Sequence, residues 1–525
     1  MAEKHGDGRL VDPLGAAPSG IEDPSHTPPA AAAEERAKLR RGLGRVDVVL
    51  FLICTLVGLD TVGSVASYGG QAITWLLVLA VLFYIPSALL TAELGAAFPA
   101  EGGPYVWTRM AFGHYAGAVN NFLYWVSNPV WLGGPLAVTA VATVEGFYRN
   151  GEPLTGAGFY TFTFAFIWVG VASAVLSLRL GKWVPSLGAL VRMVLLAFFT
   201  FSVVLYGIEH GVQGITAGDL APSWSVFLAL GPVLLFNYVG FDVASSAAEE
   251  MHDPQRDVPF GILRSGAVAI ASYALPVLGI LVVLPTSSVT GLSGFLDAIR
   301  AAFTVYGGHI AQDGTVTLTG AGRVLADIAA GGFIIALLTS AVPWLMGSDR
   351  ALAVSGYDGA APRWLGVLSP RFGTPVRVNL LSGAISSAVC VLAHELSGSA
   401  AKYFGAVLAL TLSLTLLSYI GILPSALVLR RKYPNVPRPF RVPGGMPVLV
   451  ACTVATVALL LLGAITLLYP GFATDWLAGA NPDDALPEGW SGQRLAYTVT
   501  QVVPLVMFFL IGTGFYLSGR RTRRR

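Results

Sequence analysis

The sequence predicts an all-α integral membrane protein with twelve transmembrane helices, on three observations of composition and pattern. Only 12% of the 525 residues are charged and 54% are hydrophobic, whereas a soluble chain carries roughly 25% charged residues. Mean hydropathy is +0.67. A bilayer core needs about 20 apolar residues per helix, and such runs recur at 46–69, 72–98, 115–145, 157–179, 183–208, 225–250, 259–285, 321–348, 376–395, 401–430, 446–469 and 497–518.

The distribution of Lys and Arg predicts the orientation of these helices. If every run crosses the membrane, all but six of the 32 Lys and Arg residues fall on the side that holds both termini. The six exceptions are Arg192, within a run, and on the opposite side Arg149, Arg300, Arg323, Lys402 and Arg494. Cytoplasmic segments are enriched in basic residues. We therefore expect a multi-pass protein of the plasma membrane with both termini in the cytoplasm.

The two terminal segments are predicted to lie outside the bilayer. Residues 1–45 contain no apolar core of a signal peptide and are rich in Ala, Pro, Gly and charge. Such a composition buries too little apolar surface to fold, so we expect a disordered cytoplasmic tail. Residues 519–525 are predicted to form a short basic cytoplasmic tail.

A short match between the first and sixth runs indicates an internal repeat. The first run contains VGLDT at 57–61, and the sixth contains VGFDV at 239–243. One repeat then comprises five spans, an odd number, so the second copy must run the opposite way through the membrane. We expect a first five-helix repeat at 46–208, a second at 225–395 that ends within 396–430, and two further helices at 446–518.

Glycines next to the two acids predict that helices 1 and 6 are broken. Gly58 and Gly63 bracket the expected break in the first run, and Gly240 marks the break in the sixth. A break frees backbone groups that hydrocarbon cannot satisfy, so it must line a wet cavity or meet a ligand. Two facing breaks can hold a zwitterion, because freed N–H groups suit a carboxylate and freed carbonyls suit an ammonium. Alternatively, the glycines only allow close helix packing.

No motif supports chemistry on a substrate, so the protein is not expected to be an enzyme. Cys54, Cys390 and Cys452 all lie in apolar runs, where we expect packing residues and neither a disulfide nor a metal site. The histidines lack ligand spacing, and no phosphate-binding loop or dinucleotide motif is present. A net charge of +2 gives no reason to expect nucleic acid. We expect no catalytic residue, cofactor or metal; the expected partners are the lipid bilayer and a small molecule.

Four motifs in order resemble those of the amino acid–polyamine–organocation superfamily. They are AELGAAFPAEGGPYVWTRMAFG at 92–113, FNYVGFDVASSAAEEMHDPQRDVP at 236–259, SDRALAVSGYDGAAPRWLGVLSPRFGTPVRVN at 348–379, where a loop is expected, and ALVLRRKYPNVPRPFRVPGG at 426–445. The resemblance covers about 45–518. It implies the leucine-transporter-like fold of five plus five inverted helices, with two C-terminal helices added, and secondary transport of amino acids or amines.

The resemblance implies a substrate site at the two breaks. Leu59, Asp60 and Thr61 lie between Gly58 and Gly63 in the first break. Many amino acid transporters of the superfamily have only small residues there, and an acid followed by a hydroxyl residue is more similar to plant-type polyamine permeases. A fixed carboxylate favours a cationic ligand or holds a proton. Alternatively, Asp60 pairs with another buried charge.

In the sixth helix, the resemblance implies that Phe236 covers the substrate and acts in occlusion, with core packing as the alternative. Asn237 and Tyr238 flank the break, and we expect their polar groups to face the cavity. Asp242 follows the break, where an acid is costly; it would bind a proton, lock a gate or satisfy freed N–H groups. Trp131, in an interrupted stretch of the third helix, is expected as an aromatic cavity wall or a core residue.

Further residues are assigned to coupling or gating. Proton-coupled members often carry a Lys in the part of helix 5 that holds Arg192, where it replaces a sodium ion. An arginine does not titrate, so this residue would be a permanent cation, or it extends to the cytoplasmic interface. Glu93 is expected to have a structural or gating role. Thr339 and Ser340 lie where sodium-using relatives have hydroxyls.

The resulting hypothesis is a secondary active transporter of amino acids or related amines that works by alternating access, coupled to protons or to exchange. A polyamine or cationic-amine transporter that uses Asp60 is the alternative, and a membrane nutrient sensor of the same fold is a remote one. The sequence leaves open the exact substrate, sodium dependence, the oligomeric state and the roles of the loops 285–320 and 470–496.

Overall fold

The structure, a computed structural model, describes residues 44–523 except 181–182, 312–313, 474–478 and 480. Its helices are α1 (Arg45–Leu56), α2 (Val62–Ala66), α3 (Gln71–Ala97), α4 (Gly103–Phe112), α5 (His114–Tyr148), α6 (Gly156–Leu180), α7 (Trp183–His210), α8 (Trp224–Asn237), α9 (Pro254–Val283), α10 (Gly294–Ala302), α11 (Gly320–Tyr357), α12 (Val376–Ser397), α13 (Ala400–Ile422), α14 (Ser425–Lys432), α15 (Gly445–Leu468) and α16 (Arg494–Arg523). A 3₁₀ segment, Phe241–Glu250, follows α8, and a hairpin pairs β1 (Gly308–Ile310) with β2 (Val316–Leu318).

Eleven helical segments of the described chain are long and apolar enough to cross a membrane. They comprise α3, α5, α6, α7, α8 with its following turn, α9, α11, α12, α13 with α14, α15 and α16. The first predicted run is missing from this set because it is divided into α1, of 12 residues, and α2, of 5 residues. An all-helical multi-pass membrane protein is therefore confirmed, while the count of twelve crossings stays a prediction.

The core of the bundle surrounds α1. This helix packs against α7, α9 and α11, and α5 packs against α13. Helix α5 is bent at Gly134, whose φ of −102° and ψ of −107° are not helical. At the adjacent Gly133, an added Cβ would lie 2.0 Å from the carbonyl oxygen of Ser386 in α12. This close backbone approach fixes the segment that carries Trp131 near the centre of the bundle.

Two ends of the bundle can be distinguished by their charges. The basic end holds the start of α1, helices α4 and α14 and the last turns of α11 and α16, with ion pairs such as Arg45–Asp257 at 2.7 Å and Arg109–Asp358 at 3.1 Å. The opposite end holds the β1–β2 hairpin and α10, and we call it the hairpin end. Residues 1–43, most of the tail predicted at 1–45, lie outside the described residues.

The structure corrects two predicted helix boundaries. The segment 348–357, expected in a loop, is helical because α11 continues to Tyr357. Buried Asp349 explains the continuation: its carboxylate accepts hydrogen bonds from Trp125 of α5 at 2.8 Å and from Asn379 and Ser382 of α12 at 2.5 and 2.7 Å. Helix α9 begins at Pro254 rather than 259, since a proline is well tolerated in a first helical turn.

Candidate functional site

The interruption between α1 and α2 is stabilised by a tyrosine of α9. Helix α1 ends at Leu56, and Val57 has φ −95° and ψ 82°. The buried hydroxyl of Tyr273 donates to the carbonyl of Leu56 at 2.8 Å and accepts from the N–H of Gly58 at 2.9 Å. One side chain therefore satisfies an orphan acceptor and an orphan donor of the interrupted backbone, which is the requirement for a break inside a membrane.

Asp60 lies in this interruption and is 2% exposed. Its Oδ2 accepts a hydrogen bond of 2.8 Å from the indole Nε1 of Trp131. Its Oδ1 is buried and has no hydrogen-bond partner among the described residues. A buried carboxylate is costly unless it is paired or protonated. The open oxygen is therefore a place for a cationic group or a proton.

The end of α8 lies beside the same segment. Asn237, its last residue, accepts a hydrogen bond of 2.9 Å from the hydroxyl of Thr61, so the two interruptions are tied together. The Nδ2 of Asn237 is buried without a partner in the described chain. Gly240 then adopts φ +119°, and an added Cβ would lie 2.8 Å from the ring of Trp344. Both the backbone conformation and the space at this position require glycine.

Three aromatic side chains form a cluster centred on Trp131, the hydrogen-bond partner of Asp60. The rings of Trp131 and Phe236 meet edge to face at 6.0 Å, and those of Trp131 and Trp344 at 6.4 Å. The indole of Trp344 donates to the carbonyl of Thr55 in α1 at 3.1 Å. Phe236 is half-buried, whereas the two tryptophans are buried. Phe236, the expected substrate cover, and Trp131, the expected cavity wall, are therefore in ring contact, and Trp344 also contacts Trp131.

Arg192 is fully buried next to the same interruption. Its guanidinium joins three helices, donating to the carbonyls of Gly188 (3.0 Å), Cys54, Val57 (2.8 Å) and Ala336 (3.1 Å) and to the hydroxyls of Thr339 (3.4 Å) and Ser340 (3.1 Å). It does not extend to the interface. Within the described residues it forms no ion pair with Asp60, whose bound oxygen faces the indole instead.

The remaining predicted residues make no hydrogen bond to the Asp60 carboxylate in the described chain. Tyr238 turns towards α3, where its hydroxyl donates to the carbonyl of Leu76 at 2.7 Å, so it does not face the site as expected. Asp242 accepts from the hydroxyl of Tyr419 in α13. Leu59 is buried at 2% exposure. Gly63 contacts the loop before α10, where an added Cβ would lie 2.7 Å from the carbonyl oxygen of Gly291.

A cavity of about 400 Å³ opens near this region at the hairpin end. Its lining includes Ser64, Tyr68, Pro232, Gly291, Phe404 and Tyr497. Asp60, Trp131 and Phe236 are not part of the lining. The candidate site is therefore separated from the cavity by the residues around α2 and α8.

Ion pairs link the helices at the basic end. Glu93 of α3 lies 3.1 Å from Arg430 of α14 and 3.5 Å from Arg438, and it accepts from the N–H of Val442 at 2.8 Å. Glu101 lies 3.3 Å from Arg350 of α11. The pairs join the segments around α3 and α4 to α11 and α14. Asp60 itself is only 2% exposed.

Sequence reasoning missed Tyr273, Trp344 and Tyr419. Each carries its polar group within a long apolar helix, at a position that no repeat or motif marks. A phenol or indole buried in a membrane helix must find an acceptor. That requirement was the available signal, but it does not say which segment supplies the acceptor.

Comparison with known proteins is consistent with this architecture. Residues 43–477 match the family model described as amino acid permease. The chain is 30% identical to the probable agmatine/putrescine antiporter of Lactococcus lactis, over 75% of this chain and 81% of that protein. It is 25% identical to a branched-chain amino acid permease of Bacillus subtilis, over 79% and 86% of the two chains.

The fold also matches a solved structure. A mutant of the manganese transporter of Eremococcus coleocola superimposes with a TM-score of 0.55 over 91% of this chain and 94% of that chain, at 13% identity. This likeness concerns the fold alone. In the described part of the present chain, no group of three or more His, Cys, Asp or Glu residues is placed to hold a metal ion.

Proposed function

We propose a mechanism from the premise that this chain belongs to the amino acid permease family and is a secondary transporter of amino acids or related amines. The proposal is alternating access around the segment that joins α1 and α2. It concerns the path across the membrane, the group that binds substrate and the source of driving force.

The proposed architecture has twelve crossings, in which α1 and α2 together form the first. The division of that run into two short helices supports this count, because the other eleven segments are each long and apolar enough to cross a membrane. Helices 1–5 and 6–10 would then be inverted copies. The basic end would face the cytoplasm, with both termini, because Lys and Arg collect on the cytoplasmic side of the plasma membrane.

Asp60 is proposed to bind the substrate's ammonium group. The single observation that carries this proposal is the buried Oδ1 without a hydrogen-bond partner among the described residues, next to an Oδ2 held by Trp131. The indole orients the carboxylate and leaves one oxygen for a cation. The aromatic rings of Trp131, Phe236 and Trp344 would cover the bound amine, since a cation is attracted to ring faces.

A cationic amine is the favoured substrate. The relative from Lactococcus lactis is named for agmatine and putrescine, and another relative, from Arabidopsis thaliana and 24% identical, is named a cationic amino acid transporter. A neutral amino acid is the second candidate, because the relative from Bacillus subtilis is named for branched-chain amino acids. Asp60 favours the first candidate, since a fixed negative charge selects a positive ligand.

Arg192 is proposed as a permanent cation that substitutes for a bound metal ion. Its guanidinium is surrounded by backbone carbonyls of α1 and α11 and by the hydroxyls of Thr339 and Ser340, the type of oxygen set that a sodium ion takes. An arginine cannot release its proton at ordinary pH. Any proton coupling would therefore use Asp60 or Asp242, and exchange of one amine for another would need no titrating group.

Alternation is proposed to open the two ends in turn. The cavity at the hairpin end would be the outer approach to the site. The ion pairs of Glu93 with Arg430 and Arg438 would break when the basic end opens. Asp242 would leave Tyr419 in the same step, because this bond joins the segment after α8 to α13.

The test is ligand-induced thermal stabilisation of the purified protein, at two pH values, with common amino acids and polyamines. Wild type is compared with Asp60→Asn and with Asp219→Asn, a control that removes a carboxylate from an exposed turn. Stabilisation of wild type and the control by cationic amines, lost in Asp60→Asn, is the expected result. A neutral amino acid that stabilises all three equally would remove Asp60 from the substrate site.

A further inference from the structure

We infer that the site takes amines that lack an α-carboxylate, and that Tyr273 is the residue that excludes the carboxylate. The inference rests on the proposed function, because it assumes that substrate binds at the interruption between α1 and α2. It adds a basis for selecting substrates beyond their positive charge. A diamine and the corresponding basic amino acid both carry a side-chain ammonium, and they differ only in the α-carboxylate of the amino acid.

A freed backbone N–H at a helix break can donate to a substrate carboxylate. Gly58 follows the C-terminal end of α1, whose partial negative charge disfavours an anion there. In this chain the N–H of Gly58, the second residue after α1, is already bonded to the hydroxyl of Tyr273 at 2.9 Å. The same hydroxyl donates to Leu56 at 2.8 Å. A carboxylate that took this N–H would displace the phenol and leave two buried polar groups without partners.

Asp60 adds electrostatic exclusion at the same place. A Cβ added to Gly58 would lie 3.1 Å from Oδ1 of Asp60 and 3.4 Å from the hydroxyl of Tyr273, so both oxygens crowd this face of the backbone. A substrate carboxylate there would lie beside an aspartate of the same charge. Two like charges about 4 Å apart repel strongly in a partly dehydrated site, which predicts discrimination of at least about tenfold.

The neighbouring groups do not compensate for a second carboxylate. The guanidinium of Arg192 is engaged by carbonyls and hydroxyls of three helices. The open Nδ2 of Asn237 is a neutral donor, which offers one hydrogen bond without neutralising charge. The described surroundings therefore suit an ammonium at Asp60 and provide no counter-charge for an anion.

The experiment uses pairs of ligands that differ only in the α-carboxylate: putrescine and ornithine, agmatine and arginine, cadaverine and lysine. Their dissociation constants are measured by calorimetry on the full-length purified protein. The expected result is that the amine of at least one pair binds, and that every amine that binds does so at least about tenfold more tightly than its amino acid. Tyr273→Phe should reduce this ratio at least about threefold, because it frees the N–H of Gly58.

The matched control is Tyr84→Phe. This buried tyrosine of α3 also donates to α9, to the carbonyl of Gly266 at 3.1 Å, and its hydroxyl has no hydrogen bond with residues 57–61 in the described chain. An unchanged ratio in the control, with a reduced ratio in Tyr273→Phe, supports the assignment; equal ratios in both variants and wild type overturn it. An amino acid that binds wild type as tightly as its amine overturns the inference and leaves the transport function standing. Absence of binding by every amine and amino acid overturns both.

Discussion

We expect the wild-type protein to be indifferent to sodium, and we expect replacement of Arg192 by alanine to produce a variant that sodium stabilises. The guanidinium occupies a space defined by the carbonyl oxygens of Cys54, Val57 and Ala336 and by the hydroxyls of Thr339 and Ser340. The oxygens of Cys54 and Val57 accept from one terminal nitrogen of the guanidinium, Nη1. The oxygens of Ala336, Thr339 and Ser340 accept from the other, Nη2. In Arg192→Ala they lose their cation, and hard oxygen ligands of this kind suit a small metal cation.

The magnitude follows from the hydrogen bonds that disappear. Removing the cation from a buried, hydrogen-bonded network costs about 3–5 kcal/mol of folding free energy. Sodium at about 100 times its dissociation constant would restore about 2.7 kcal/mol. The variant should therefore unfold earlier than wild type in choline chloride and recover about half to nine-tenths of the loss in sodium chloride.

The assay is thermal unfolding of the purified protein in sodium, potassium and choline chloride at equal ionic strength. Arg192→Lys is the matched control: the ammonium keeps a positive charge in the space, so sodium should have no effect on it. Stabilisation of wild type by sodium would refute the reasoning, since it would place a sodium site elsewhere. An Arg192→Ala variant that responds equally to all three salts would refute the proposed cation space.

Three further predictions concern the surroundings of the site. Gly240→Ala should destabilise the protein by about 2 kcal/mol, because the position has a positive φ and the new Cβ would lie 2.8 Å from a tryptophan ring. Gly231→Ala, whose new Cβ would have no contact below 3.7 Å, is the control. Equal thermal stabilities of the two variants would contradict the argument. Glu93→Gln should open the basic end, because Arg430 and Arg438 lose the carboxylate with which they pair. The rate at which a thiol reagent labels the buried Cys54 should then rise at least about threefold. An unchanged rate would mean that these ion pairs do not hold the end closed. Trp131→Phe should cost about 1.5–3 kcal/mol in chemical denaturation, since a buried carboxylate loses its donor, and a cost below about 0.5 kcal/mol would show that another group replaces the indole.

The fold class was predictable because the bilayer imposes long apolar runs. Eleven of the twelve runs correspond to helices that can span a membrane, and the first corresponds to the divided pair α1 and α2. Helix ends were less predictable. The expected loop at 348 is helical to Tyr357 because Asp349 has partners on α5 and α12, and no local pattern in a sequence reports partners on other helices.

Residues of the candidate site could be predicted where one short segment of sequence contains both the glycine of the helix break and the charged side chain. Gly58 and Asp60 could be found from a glycine and an acid in an apolar run, and Phe236 and Trp131 do face each other. The hydroxyl of Tyr238 bonds to α3 instead, a partner that the sequence does not indicate. Residues beside a helix break do not follow the regular spacing of about 3.6 residues that places side chains on one face of a helix. The backbone geometry of the break therefore decides which way each side chain points.

The contact between Gly63 and Gly291 has a consequence for pharmacology. Here two backbones touch without a side chain between them, and the hydroxyl of Ser64 donates to the Gly291 carbonyl at 3.3 Å. Because the loop is tied so closely to α2, immobilising it should also immobilise α2. An antibody fragment raised against 285–311 would then act as an inhibitor without reaching the enclosed carboxylate. Uptake that continues unchanged with the fragment bound at saturation would show that the loop and α2 move independently.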